Sequence, residues 1–94
     1  MRKPFNVLGL TVPITQKKTL ENNDAGQFCP VKKEILLCKT LPKDQQKFTE
    51  IHELMHAFFF RIGVEDIGID EKTEEILCNQ IATLLTDNFR LTRK

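Results

Sequence analysis

Apolar residues follow two different rhythms along this chain, and the change comes near residue 42. Before it, short apolar runs alternate with turn-forming clusters, the pattern of strands. "FNVLGLTVPIT" is rich in branched apolar residues, with Gly9 and Pro13 marking a bulge or an edge position. "ENNDAG" follows as a polar turn in which Asn23, Asp24 or Gly26 can take left-handed backbone angles. "GQFCP" and "KEILLCK" then read as the two arms of a hairpin across Val31, Lys32 and Lys33. The second arm has a continuous apolar centre, Ile35-Leu36-Leu37-Cys38, which implies at least partial cover on both faces. It is either a central strand or an edge able to accept an extended peptide.

Beyond residue 42 the period is helical. Phe48, Ile51, Met55, Phe58, Phe59 and Ile62 recur at spacings of three and four, which builds one apolar face from about Asp44 to Ile62. Pro42 suits a first turn, Asp44 puts negative charge near the positive end of the helix dipole, and Gly63 sits where a left-handed cap stops the helix. After the loop "VEDIGIDEKT", a second helix runs from about Lys72 to Asn88 on the stripe Leu77, Cys78, Ile81, Ala82, Leu84 and Leu85. The pattern predicts one α+β domain over residues 1–94. A small antiparallel or mixed sheet occupies 1–41 and a helix 42–63. A loop spans 64–71, a second helix 72–89, and a basic, frayed tail 90–94.

Charge narrows the function classes. Net charge is +1, with 14 basic against 13 acidic residues, so no excess of basic charge points to nucleic acid or to an anionic membrane. Apolar runs such as Ala57 to Phe60 are far too short to span a bilayer, and no secretory leader follows Met1-Arg2-Lys3. Cys29, Cys38 and Cys78 are an odd number without CxxC spacing, which fits a reducing cytoplasm and thiols that serve as small packing residues.

The chemistry concentrates in "TEIHELMHAFFFRIG", which holds both histidines of the chain. His52 and His56 are four residues apart, so on a helix their Cβ atoms lie about 5–6 Å from each other on one face. Two neutral imidazoles at that spacing suit one zinc ion without bending the backbone. Glu53 is rotated about 100° from His52, outside the same ligand shell but able to reach a water on the metal. This is the H-E-x-x-H arrangement of two zinc ligands and a general base. Glu53 would take a proton from metal-activated water as it attacks a peptide carbonyl and return it to the leaving amine. Of the neighbouring phenylalanines, Phe58 and Phe59 fit the apolar stripe, whereas Phe60 either packs on the sheet or lines a substrate pocket.

A catalytic zinc takes three protein ligands, and no third histidine exists. The remaining donor is a carboxylate or, less favourably, Cys78. Glu74 and Glu75 open the second helix; the helical wheel places Glu74 further inward and Glu75 at the edge of the stripe, and because a buried carboxylate needs a cation to offset its burial, the wheel favours Glu74 while leaving Glu75 open.

"IHELMHAFF", a loop, and "EEILCNQIATLL" resemble the small phage and mobile-element metallopeptidases of the ImmA/IrrE kind, within the gluzincin group of zincins. The resemblance covers mainly residues 48–86. Its second-helix pattern, E-x-x-A-N-x-F-A, aligns with Glu75-Ile76-Leu77-Cys78-Asn79-Gln80-Ile81-Ala82, with Cys78 and Ile81 departing from it. The resemblance implies that Glu75 is the third zinc ligand and that Asn79 steadies a zinc-bound histidine from behind. It further implies a phage- or prophage-encoded peptidase in the bacterial cytoplasm whose substrate is a protein or peptide, such as a repressor-like regulator. The chain lacks the tyrosine with which many gluzincins stabilise the oxyanion, leaving Arg61 and Arg90 as the candidates near the motif. The competing expectation is a zinc-containing module that binds a partner protein without catalysis.

Overall fold

In the computed structural model, which describes residues 2–93 apart from the Arg2 side chain, the chain is α+β. A four-stranded mixed sheet is followed by two helices. The strands are β1 (Arg2–Val7), β2 (Leu10–Lys17), β3 (Gly26–Cys29) and β4 (Glu34–Cys38), and the helices α1 (Lys43–Arg61) and α2 (Glu71–Asn88). Spatial order is β1-β2-β4-β3, with β1/β2 and β4/β3 antiparallel and β2/β4 parallel.

The first apolar stretch is two strands rather than one. Leu8 and Gly9 both take positive φ, 49° and 87°, the backbone needed for a two-residue hairpin turn between twisted strands. Gly9 therefore makes the turn, while the register irregularity falls between Arg2 and Phe5, across from Pro13, which has no N–H to donate. In the following turn the left-handed residues are Asn22 and Asn23, not Asp24 or Gly26. Gly26 is needed for a different reason, the close approach of α1. The arm "EILLC" is central, between β2 and β3, so the outer strand on that side is β3.

Alternation in β2 and β4 sends Val12, Ile14, Ile35 and Leu37 to one face, where they meet Val7 and, from α1, Ala57, Leu54 and Phe58. Val12, Ile35 and Leu37 are 0% exposed, and burying each side chain of this kind is worth about 1.5–3 kcal/mol. α1 lies against β1, β3 and β4 on one side and α2 on the other. A second cluster, Phe59, Val64 and Cys78 with Met55, Ile69 and Leu77, joins the helices. Because α1 is covered from two directions, its buried set extends beyond the predicted stripe to Thr49, Glu50, His52 and Glu53, while Ile62 is exposed.

The first helix stops where Gly63 signals, and the second opens at Glu71, one residue before the expected start, on a cap that the periodicity did not mark. Gly63 (φ 73°) ends α1, with its N–H donating to the Phe60 carbonyl, and the Asp70 carboxylate caps α2 by accepting from the Thr73 N–H at 2.7 Å. The tail is not frayed as the sequence suggests. Arg93 donates to the carbonyls of Lys3 and Pro4 and lies 3.9 Å over the Phe5 ring, tying residues after α2 to β1. Cys38 and Cys78 are buried and Cys29 half-buried, all as free thiols. No described helix is long and apolar enough to cross a membrane.

Candidate metal centre

Close helix packing builds the site. Cys78 and Ala82, one turn apart on α2, are small and fully buried, so α2 approaches α1 closely at that point. One turn earlier on α2, Glu74 and Glu75 consequently arrive beside His52 and His56. The two imidazole Nε2 atoms lie 3.2 Å apart. Glu75 straddles them, with Oε1 3.1 Å from His52 Nε2 and Oε2 2.8 Å from His56 Nε2.

These separations test whether a zinc ion fits. Ligand atoms about 2.0–2.1 Å from a tetrahedral zinc are about 3.3 Å from one another. The three donors of His52, His56 and Glu75 stand within 4.8 Å of each other and converge at close to that spacing. The donor chemistry, two nitrogens and a carboxylate, also matches. A second grouping, His56, Glu74 and Cys78, meets the same distance limit. Its thiol is fully buried and, without a metal, is pushed up to about 12, by burial first and by the nearby glutamates after that.

Glu74 has a distinct place. Its Oε2 is 2.5 Å from His56 Nδ1, on the far side of the ring from Glu75. A hydrogen bond there sets the tautomer that leaves Nε2 free and holds the ring in orientation. The inward position of Glu74 on the helical wheel, which by itself favours it as a metal ligand, brings it to the Nδ1 side of His56. Asn79, by contrast, influences His52 from nearby, yet His52 Nδ1 is buried without a hydrogen-bond partner. Asn79 thus approaches His52 without closing a bond to that nitrogen.

The two histidines are electrostatically unequal. Burial lowers the pKa of His52, and His56 beside it acts in the same direction against the attraction of Glu75. Burial pulls down His56 as well, but the Glu74 hydrogen bond and the charges of Glu53, Glu75 and Glu74 outweigh it, so its pKa is raised.

Glu53 turns from the histidines towards β3. It is 7% exposed, and burial pushes its carboxyl up to about 7, against the pull of His56. Its Cγ and the Thr49 methyl pack against Gly26 so closely that a Cβ there would stand 2.5 Å from Thr49 Cγ2. Sequence reasoning passed over Thr49 and the packing role of Gly26, because a close helix-to-strand approach leaves no periodic mark.

The centre opens into a groove of about 1120 Å³ lined by β3, α1, the loop between the helices and the start of α2. Phe60 lies in its wall, its ring 5.5 Å from that of Phe28, so it both packs on the sheet and faces the groove. The Ala25 carbonyl accepts from Cys38 N–H at 2.9 Å. Antiparallel alternation then directs the backbone of Gln27 and Cys29 to β4 and that of Gly26 and Phe28 to the outer edge. Arg61 is elsewhere: its Nε donates to the Leu8 carbonyl, and neither it nor Arg90 lines the groove. The expectation that an arginine stabilises the oxyanion is therefore set aside.

Comparison of the chain with protein-family models, with curated proteins and with solved structures found no match.

Proposed function

We propose that the chain is a zinc-dependent peptidase in which His52, His56 and Glu75 hold the ion and Glu53 is the general base. The observation that carries this reading is the convergence of two Nε2 atoms and one carboxylate at tetrahedral-edge spacing, with Glu53 beside them on the same helix. A bound zinc would supply Lewis-acid polarisation and lower the pKa of water at the site.

The remaining work falls to the chain's own groups. Glu53, on the same helix as the two histidines, takes the proton of the attacking water and passes it to the nitrogen of the leaving amine. Glu74 keeps the His56 ring aimed. The outward backbone groups of Gly26 suit an extended peptide beside β3, while the backbone of Phe28 already meets the Glu53 carboxylate. The resemblance to phage-encoded peptidases supports a cytoplasmic, repressor-like protein as substrate.

The test compares metal content and peptide cleavage in the native chain and in Glu53→Gln. Stoichiometric zinc in both, with cleavage only in the native chain, is the expected result. Zinc in both with cleavage in neither would make the chain a zinc-containing interaction module instead.

A further inference from the structure

The His56 ring meets α2 through both of its nitrogens, Nε2 towards Glu75 and Nδ1 towards Glu74. Zinc in the centre uses Nε2 alone. One turn beyond Glu74 on the same helix stands the thiol of Cys78, and the donor atoms of His56, Glu74 and Cys78 all lie within 4.8 Å of one another. Glu74 and Cys78 are four residues apart, the interval that pairs His52 and His56 on α1, so both side chains leave one face of α2.

This group is a nitrogen, an oxygen and a sulfur donor brought together from two helices. Its environment is dry. Cys78 is 0% exposed, and the side chains of His56 and Glu74 are 18% and 19% exposed. The other buried thiol, Cys38, is bonded to the Lys18 carbonyl and the Thr40 hydroxyl, whereas Cys78 forms no hydrogen bond among the described residues. A buried, unpartnered sulfur beside an imidazole and a carboxylate is a ligand set in search of a cation. Sulfur decides which one, because thiolate selects soft cations, while two imidazoles and a carboxylate suit zinc. A thiol that is neutral without a metal is no obstacle, since a coordinating thiol is deprotonated by the cation itself.

We propose that His56 Nδ1, Glu74 and Cys78 form a second cation site, which takes a soft, thiophilic cation such as Cd2+ or Cu+ and is filled in place of the zinc centre rather than alongside it. The exclusion follows from proton count. A neutral imidazole carries one ring proton, so a cation at Nδ1 leaves that proton on Nε2, where N–H can donate to Glu75 but cannot ligate zinc. Filling the site therefore releases the Cys78 thiol proton to solvent and moves the ring proton across His56. No group is oxidised or reduced. Soft cations would thereby act as antagonists of zinc through a shared ring.

Cadmium alone is the probe. Reduced, metal-free protein is titrated with Cd2+ under anaerobic conditions and followed by the ultraviolet absorption of thiolate-to-cadmium charge transfer. The native chain should develop this band and Cys78→Ala should lose it, while Cys78→Ala still binds zinc stoichiometrically, which shows that it folds. Glu75→Ala, which removes a donor of the zinc centre, should keep the band. No band in the native chain, an equal band in Cys78→Ala, or its loss in Glu75→Ala overturns the site. Elemental analysis of native protein loaded with both cations tests the exclusion: one cation in total per chain is expected, and zinc and cadmium bound together overturn it. Peptide cleavage enters neither readout, so the peptidase reading stands or falls separately.

Discussion

Glu74 Oε2 lies 2.5 Å from Nδ1 of His56, while Nε2 of the same ring faces Glu75 at 2.8 Å. One imidazole is therefore gripped from both nitrogens by consecutive residues of the neighbouring helix. The adjacent glutamates divide the work, one at the ligand edge of the ring and one behind it.

That division predicts different consequences for the two alanine substitutions. Glu75→Ala removes a direct donor and should leave zinc binding too weak for a stoichiometric complex at micromolar protein. Glu74→Ala removes only the orienting bond and should weaken affinity about 10–100-fold while one zinc still binds at saturation. Competition with a chromophoric chelator measures both. Equal losses would end the distinction.

The raised pKa of His56 makes the proton a competitor for the metal. A ligating imidazole must be neutral, so apparent zinc affinity should fall as pH drops through the His56 pKa, beginning at a higher pH than for an isolated histidine. Glu74→Ala takes away the hydrogen bond that raises this pKa, so the fall should move to lower pH. Chelator competition between about pH 5.5 and 8 would show the displacement.

Glu53 carries its own signature in the metal-free protein. Its folded-state pKa, about 7, lies above the ordinary 4.5, so the native state holds a proton that the unfolded state has lost between those values. The unfolded chain binds fewer protons there, and the Glu53 contribution to stability falls as pH rises from about 4.5 to 7, then levels off. The full loss is on the order of 3 kcal/mol. Glu53→Gln has no such proton to lose. Denaturant unfolding of both metal-free proteins should show the variant gaining on the native chain across that window, and a constant difference would contradict the burial argument. With zinc present, the same substitution should lower turnover by about 10²–10⁴-fold.

Gly26→Ala tests the contact between β3 and α1. The added methyl meets Thr49 Cγ2 at 2.5 Å and both Glu53 Cγ and the Leu36 carbonyl at 3.2 Å, so the helix must shift or Thr49 must turn. Overpacking of this kind costs about 1–3 kcal/mol, which for a domain this small lowers Tm by roughly 5–20 °C. Because His52 and His56 face α2 rather than β3, zinc stoichiometry should be retained. A thermal scan with and without zinc checks both statements.

The chain's own order of residues determined the elements and most of the candidate metal-binding group. Three- and four-residue spacing from Phe48 to Phe59 suffices for α1, and the four-residue interval between His52 and His56 puts both rings on one face wherever the helix is docked, because that relation is local. Strand content was legible for the same reason, as was the stop at Gly63. Tertiary structure decided what depends on partners distant along the chain. It made β4 central and β3 the outer strand, anchored Arg93 on β1, and turned Arg61 away to Leu8. It also separated the roles of Glu74 and Glu75, which sequence spacing left open. Those two side chains leave the same helical turn about 100° apart, and only the position of α2 against α1 sets which carboxylate meets Nε2 and which meets Nδ1. Periodicity fixes directions around one helix axis; the distance and rotation between two axes come from packing, here from Cys78 and Ala82 letting the helices close.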